Sequence, residues 1–346
     1  YQHDAACRVI ARLVKERDEA RAALASAQAA GPIAAAAASG GGGGKRGAAA
    51  MDGASGGGGG DEGSKKASRG GISDEVVAAM VAKSKELLKW RKKREISASL
   101  ASQTDVAAMT CKTTAPCHKT AAHGIASVAV NPFDANVVAT AGADGSIALF
   151  DAAKGKRGSL LTGHGKKCND VAWVAQSTLL SASSDGTVKL WDGGKCKATM
   201  SGVHDGSEVV SVSVHPTNAY ACSIGADKCW GFYDIAAAEC LSAVRDTSDD
   251  VAGGGGGDWG FTCGGFHPDG QILATGCGGN STTVKVWDAK TQKTVAKMDG
   301  HQAAVASLCF SENGYYMATC AADGVKLWDL RKLKNFKSIA PAGGGG

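Results

Sequence analysis

The chain has 346 residues, 44% of them hydrophobic, enough for one large packed domain with extensions. Its formal net charge is +5, and residues 81–95 alone carry that +5, so the remainder sums to zero and is no strongly basic nucleic-acid platform. No signal peptide and no apolar run long enough to span a bilayer is present, so no membrane partner is expected.

Residues 1–28 form a helix candidate. Ala6, Ile10, Leu13, Arg17, Ala20 and Leu24 follow a 4-3-4-3-4 spacing, the seam of a coiled coil, with Arg17 interrupting it. Self-association and simple docking on a larger domain are both open on this pattern. Residues 29–71 are rich in Ala, Gly and Ser, and such a composition buries too little surface to offset chain entropy, so a disordered linker is expected. Residues 72–95 read as an amphipathic helix. Ser73 is placed to cap it, Asp74 and Glu75 suit its first turn, and Val76, Val77, Met80, Val81, Ser84, Leu87 and Leu88 share one face. That face fits either a partner or the chain's own domain. The helix ends in Lys89, Trp90, Arg91, Lys92, Lys93 and Arg94, which reads as a nuclear-import run, a nucleic-acid contact or a solvated basic helix end.

From about residue 107 to residue 340, short apolar runs alternate with turn residues, before a glycine tail at 341–346. Residues 180–192, LSASSDGTVKLWD, read as strand, tight turn, strand. Variants of this phrase close on Phe150, Trp191, Tyr233, Trp287 and Trp328, which lie 41, 42, 54 and 41 residues apart. The long interval holds the glycine block 253–257, which reads as a flexible insertion, like the blocks at 40–44 and 56–60. A period of about 40–45 residues with four strands per unit is the signature of a WD-repeat β-propeller. The expected fold class is therefore an all-β WD-repeat propeller with five visible blades, preceded by the coiled-coil helix and the disordered linker.

In the second unit His164, Ser181 or Ser183, Asp185 and Trp191 are the candidates for the polar network of a WD blade. Asp144, His204, Asp227, His301, Asp323 and Trp328 are its counterparts elsewhere. A recurring His, Ser and Asp argues against a hydrolase triad, because a catalytic constellation occurs once and a structural one repeats. No catalytic residue is assigned. The twelve cysteines contain no CxxC pair and read as small buried thiols in or beside strands, in a reducing compartment, so no metal and no cofactor is expected. Three departures stand out. The first unit offers two histidines, His118 and His123. The fourth has Ser281 at the turn and no Gly-His before it. The fifth is one residue short between Asp323 and Trp328.

Two stretches go beyond a generic propeller: YQHDAACRVIARLVKERDEARAAL at the start and FSENGYYMATCAADGVKLWDLRKLKNFKSI near the end. With the order coiled coil, linker, helix ending in KWRKKRE, then WD repeats, they closely resemble the pre-mRNA-processing factor 19 family of splicing-associated U-box ubiquitin ligases. The resemblance implies a coiled coil that joins four chains, with Ile10, Leu13 and Leu24 matching that helix, and a seven-bladed propeller that selects proteins for docking or ubiquitination. It implies a nuclear location, splicing-complex partners, and roles in spliceosome activation and the DNA-damage response. It also implies a ubiquitin-conjugating enzyme bound through a U-box, which nothing here matches and which would precede Tyr1. The chain alone is then expected to lack ligase activity, and its opening at Tyr1 rather than methionine reads as a fragment. The five-bladed propeller is expected to be an open arc unless it closes on five. A generic WD-repeat adaptor is the alternative, and direct RNA binding through Lys89–Arg94 ranks below both, since the rest of the chain has no net positive charge.

Overall fold

The computed structural model describes residues 72–94, 100–111, 113–119, 124–204, 206–247, 260–279 and 281–341. The coiled-coil seam at Ala6, Ile10, Leu13, Ala20 and Leu24, the linker and His123 lie outside the described residues.

Five four-stranded antiparallel sheets follow one another, each a simple meander. The first holds β1 (Ile125–Val130), β2 (Val137–Gly142), β3 (Ile147–Asp151) and β4 (Lys156–Leu161). The second holds β5 (Cys168–Trp173), β6 (Thr178–Ser183), β7 (Val188–Asp192) and β8 (Lys195–Met200). The third holds β9 (Val209–Val214), β10 (Tyr220–Gly225), β11 (Cys229–Asp234) and β12 (Glu239–Arg245). The fourth holds β13 (Phe261–Phe266), β14 (Ile272–Cys277), β15 (Val284–Asp288) and β16 (Lys293–Met298), and the fifth β17 (Val305–Phe310), β18 (Tyr316–Ala321), β19 (Gly324–Asp329) and β20 (Lys334–Ile339). This is a partial β-propeller, and the inner strands β1, β5, β9, β13 and β17 line one cavity of about 450 Å³.

The same two irregularities recur in every sheet. The innermost pair slips register at its end, as at Ile125/Ser127 and Cys168/Asp170, and the outermost pair slips beside the closing aromatic, as at Leu190/Trp191 and Leu327/Trp328. Bulges of this kind sharpen the right-handed twist, which lets a short sheet present both faces to neighbours. The neighbours share cores. Ala139, Ala141 and Ile147 of the first sheet pack with Val171 and Leu179 of the second. Leu180, Val188 and Leu190 of the second pack with Val209 and Val212 of the third. Fully buried apolar groups of this size contribute about 1.5–3 kcal/mol each, so each sheet is held by its neighbours more than by itself.

One apolar face is uncovered. Ile125, Val128 and Val130 in β1 are 49%, 60% and 58% exposed. The residues at the Ile125 position in the other sheets, Cys168, Val209, Phe261 and Val305, are all fully buried. Each of those is covered by the preceding sheet, and no sheet covers β1 among the described residues.

The amphipathic segment forms α1 (Asp74–Lys93), with Ser73 Oγ accepting from the Val76 N–H at 3.4 Å. Its apolar face turns onto the chain's own sheets. Met80 is buried in the core formed by Phe232, Phe266 and Leu273, with Val76 packed beside it. A short helix, α2 (Gln103–Ala107), follows, closed by a capping box between Ser102 and Asp105.

All eleven cysteines among the described residues are free. Cys168, Cys222 and Cys277 are buried, and burial pushes the Cys168 thiol up to about 12. Cys196, Cys309 and Cys320 lie on strands yet are exposed, as is Cys111, so the expectation of buried thiols does not hold for these four.

Candidate functional site

A polar constellation that recurs along the chain is the His–Asp network. In the second sheet His164 Nδ1 lies 2.9 Å from Asp185 Oδ2 and Nε2 lies 2.7 Å from Ser181 Oγ. Trp191 Nε1 donates to the same Ser181 oxygen at 2.8 Å. The carboxylate only accepts, so Nδ1 donates to Asp185, Nε2 accepts the Ser181 hydroxyl, and that oxygen accepts from Trp191. Of the two serine candidates, Ser181 is the link. Ser183 Oγ instead donates to the Lys167 carbonyl at 2.8 Å and accepts from the Asp185 N–H at 3.1 Å, which shapes the turn.

Burial opposes ionisation of Asp185. Hydrogen bonds from Thr187, the Gly165 N–H and His164 outweigh it and hold the carboxyl well below the usual carboxylate range. Burial lowers the His164 pKa, against the pull of Asp185, so the imidazole is neutral at neutral pH. Ser181 is fully buried. Its hydroxyl is committed to His164 and its oxygen to Trp191, so it offers a substrate no nucleophile, although the residue types are those of a hydrolase triad.

The arrangement recurs with substitutions. In the first sheet His118 reaches Asp144 at 3.1 Å and Thr140 at 2.9 Å. In the third, His204 reaches Asp227 at 3.0 Å and Ser223 at 2.6 Å, and the Tyr233 hydroxyl replaces the indole, 3.0 Å from Ser223. In the fifth, His301 reaches Asp323 at 2.6 Å and Thr319 at 2.7 Å, and Trp328 donates to Thr319 at 2.8 Å. The missing residue of the fifth unit is taken out of the hairpin turn, where Ala321 pairs directly with Gly324.

The fourth sheet keeps only the outer half: Trp287 Nε1 donates to Thr275 Oγ1 at 3.0 Å. Beside it Lys285 Nζ lies 2.6 Å from Asp246 Oδ2, with the two side chains 1% and 2% exposed. This ion pair joins β15 to the end of the third sheet. Nothing in the repeat phrase singles it out, because Lys189 and Lys326 stand at the same position of the second and fifth sheets.

Further links tie sheet to sheet. Asp170 accepts from Ser127 of the first sheet at 2.8 Å, and from Ser211 and the Val212 N–H of the third at 2.8 Å and 3.0 Å. His215 donates through Nε2 to the Gly270 carbonyl at 3.2 Å, and His267 does the same to the Gly314 carbonyl at 2.9 Å. These are the turns after β9 and β13.

The basic run is divided. Arg91 is drawn against Asp269 and the Asn313 carbonyl, and Arg94 pairs with Glu312. Lys89 and Lys93 are exposed.

The Prp19/Pso4-like family profile matches residues 1–27. The profile of the WD domain, G-beta repeat, matches residues 109–151, 155–192, 257–288 and 292–329. Pre-mRNA-processing factor 19 homolog 2 of Arabidopsis thaliana is 44% identical over 99% of this chain and 63% of its own length. Pre-mRNA-processing factor 19 of Oryza sativa subsp. japonica is 41% identical over 99% and 62%, and that of Homo sapiens 34% over 98% and 64%.

The chain belongs to the pre-mRNA-processing factor 19 family.

It spans less than two thirds of the length of these relatives. The WD profile passes over the third sheet, which carries Tyr233 where tryptophan is usual and Lys228 at φ 64° in the turn position that Gly145 and Gly186 fill elsewhere. The structure has four strands there all the same, so pattern and fold part company at this sheet.

Proposed function

We propose that this chain is a nuclear scaffold and the substrate-recruiting part of a splicing-associated ubiquitin-protein ligase. The observation that carries the reading is the joint presence of the Prp19/Pso4-like match at residues 1–27 and the WD sheets in one chain. The buried, fully committed His–Asp networks favour docking over catalysis, since they hold up surfaces and expose no reacting atom. Homology to a pre-mRNA-processing factor supports a nuclear location, with Lys89, Lys93 and Arg94 as the exposed part of the import run.

In this reading the helix at residues 1–28 assembles four chains through Ala6, Ile10, Leu13, Ala20 and Leu24. Splicing-complex proteins dock on the propeller. Ubiquitin transfer belongs to a U-box that recruits the conjugating enzyme, and the DNA-damage role follows the same recruitment. The propeller of the whole protein has seven blades, a reading supported by the uncovered Ile125, whose counterparts Cys168, Val209, Phe261 and Val305 are each buried.

Co-purification from nuclear extract and mass in solution test the reading together. The full chain is expected to recover splicing proteins as an oligomer, and deletion of residues 1–28 to give a monomer. A monomeric full chain with no splicing partner overturns it. A deletion that leaves partners and mass unchanged leaves a generic WD-repeat adaptor.

A further inference from the structure

The last turns of α1 meet the turns of the fourth and fifth sheets across a groove that the scaffold reading does not use. Its cavity of about 310 Å³ has an apolar floor and wall formed by Leu87, Trp90, Pro268 and Phe310. A volume of this order is at the lower end for ligand pockets. A second cleft of about 380 Å³ continues it over the helix end and shares Arg91, Arg94 and Glu312.

Two features mark the groove as built for an occupant. Trp90 is 60% exposed, although tryptophan is normally well covered and is a preferred anchor of protein interfaces. Arg91 is the second. Its side chain is only 9% exposed and lines both clefts. Nη1 reaches the Asn313 carbonyl at 3.4 Å, and Nη2 stands 3.7 Å from Asp269 Oδ2, beyond hydrogen-bond length. Buried Nε and Nη2 have no hydrogen-bond partner. A guanidinium carries five N–H donors, and leaving a buried one unmet is unfavourable. An acceptor oxygen entering the groove satisfies it.

We propose that this groove docks a short acidic peptide segment carrying one large apolar side chain. The apolar side chain fills the space between Trp90, Leu87 and Phe310, and a neighbouring carboxylate meets Arg91. Charge complementarity favours an acidic partner, because Lys89 and Lys93 are exposed on the same helical end. An RNA strand fits less well, because the floor is apolar rather than polar.

Fluorescence anisotropy on the full chain tests this, with a short fluorescein-labelled peptide of glutamates around one central phenylalanine as probe. Saturable binding is expected, weakened about tenfold or more by Trp90→Ala in the protein or by alanine in place of the probe's phenylalanine. The thermal midpoint of Trp90→Ala is expected to stay at that of the parent, since the side chain is exposed; the altered probe reads the same contact should that variant misfold. Absence of saturable binding, equal affinity for the alanine probe, or tighter binding of an oligouridylate of similar length overturns the proposal.

Discussion

The second and fourth sheets solve one problem in two ways. Both must bury polar groups between an inner turn and a closing tryptophan. The second uses a hydrogen-bonded relay that ends on a carboxylate, Asp185 to His164 to Ser181 to Trp191, inside one sheet. The fourth keeps Thr275 and Trp287 but has no histidine, and its buried charge, Lys285, is met from the third sheet by Asp246. The requirement that survives in both is that the polar groups buried beside the closing tryptophan find partners. The identity of the residues, and even whether the link lies within a sheet or between two, is free to vary. The two solutions differ in fragility, because a relay loses its members one at a time whereas an ion pair strands a charge.

Lys285→Met is therefore expected to have the largest effect, a loss of about 3–5 kcal/mol as usual for breaking a buried ion pair. Urea denaturation reads it, and pairing the change with Asp246→Leu is expected to recover most of the loss. A single variant within about 1 kcal/mol of the parent contradicts the claim that the pair holds the fourth sheet.

Acid separates that charged link from a neutral one at the same boundary. His215 bridges the third sheet to Gly270 of the fourth, and burial lowers its pKa to about 4 despite the Gly270 hydrogen bond. Between the unfolded value of about 6.5 and this folded value, the unfolded chain holds a proton that the folded chain does not, so stability falls as pH falls through the window. Up to about 3 kcal/mol is lost by pH 4. Proton uptake on unfolding at pH 5 is expected to drop by nearly one in His215→Gln; an unchanged uptake shows that His215 is not the group.

How much of this is legible in the sequence depends on whether a link repeats. His164, Asp185 and Trp191 stand at fixed distances that recur, so their meeting follows from the period alone. The choice between Ser181 and Ser183 does not, because both are buried two residues apart on one strand. Lys285 stands where Lys189 and Lys326 stand in other sheets, and its partner Asp246 lies 39 residues away, so no pattern announces their pairing. The helix α1 is a middle case. Its apolar face is plain in the spacing of Val76, Met80, Ser84 and Leu87, but an apolar stripe carries no mark of what covers it. Arg91 reads as one more charge in a basic run until the fold brings Asp269 and Asn313 to it.

A smaller loss separates the relay's members. Asp185→Ala leaves His164 Nδ1, the Gly165 N–H and the Thr187 hydroxyl without their acceptor. Its expected cost is about 1–3 kcal/mol, the usual penalty for an unmet buried donor. The corresponding change cannot be made in the fourth sheet, where Ser281 stands at the turn, and Ser281→Ala is expected to be nearly silent. Equal losses from the two variants in urea denaturation contradict the difference drawn between the sheets.

Trp191→Phe is the gentlest probe. It removes one N–H and part of a ring, but Ser181 keeps His164 as its partner, so no buried donor is stranded. The first sheet has already made this exchange: Phe150 closes it, and Thr140 Oγ1 keeps His118 Nε2 at 2.9 Å. Loss of a single hydrogen bond predicts about 0.5–1.5 kcal/mol, with a little more for the space the smaller ring leaves. Trp287→Phe in the fourth sheet removes the same bond to Thr275, yet no histidine is present to hold that hydroxyl in place. Its expected loss is the greater of the two. If the order reverses in urea denaturation, the histidine is not what makes the second sheet tolerant, and the tolerance lies in packing around the ring.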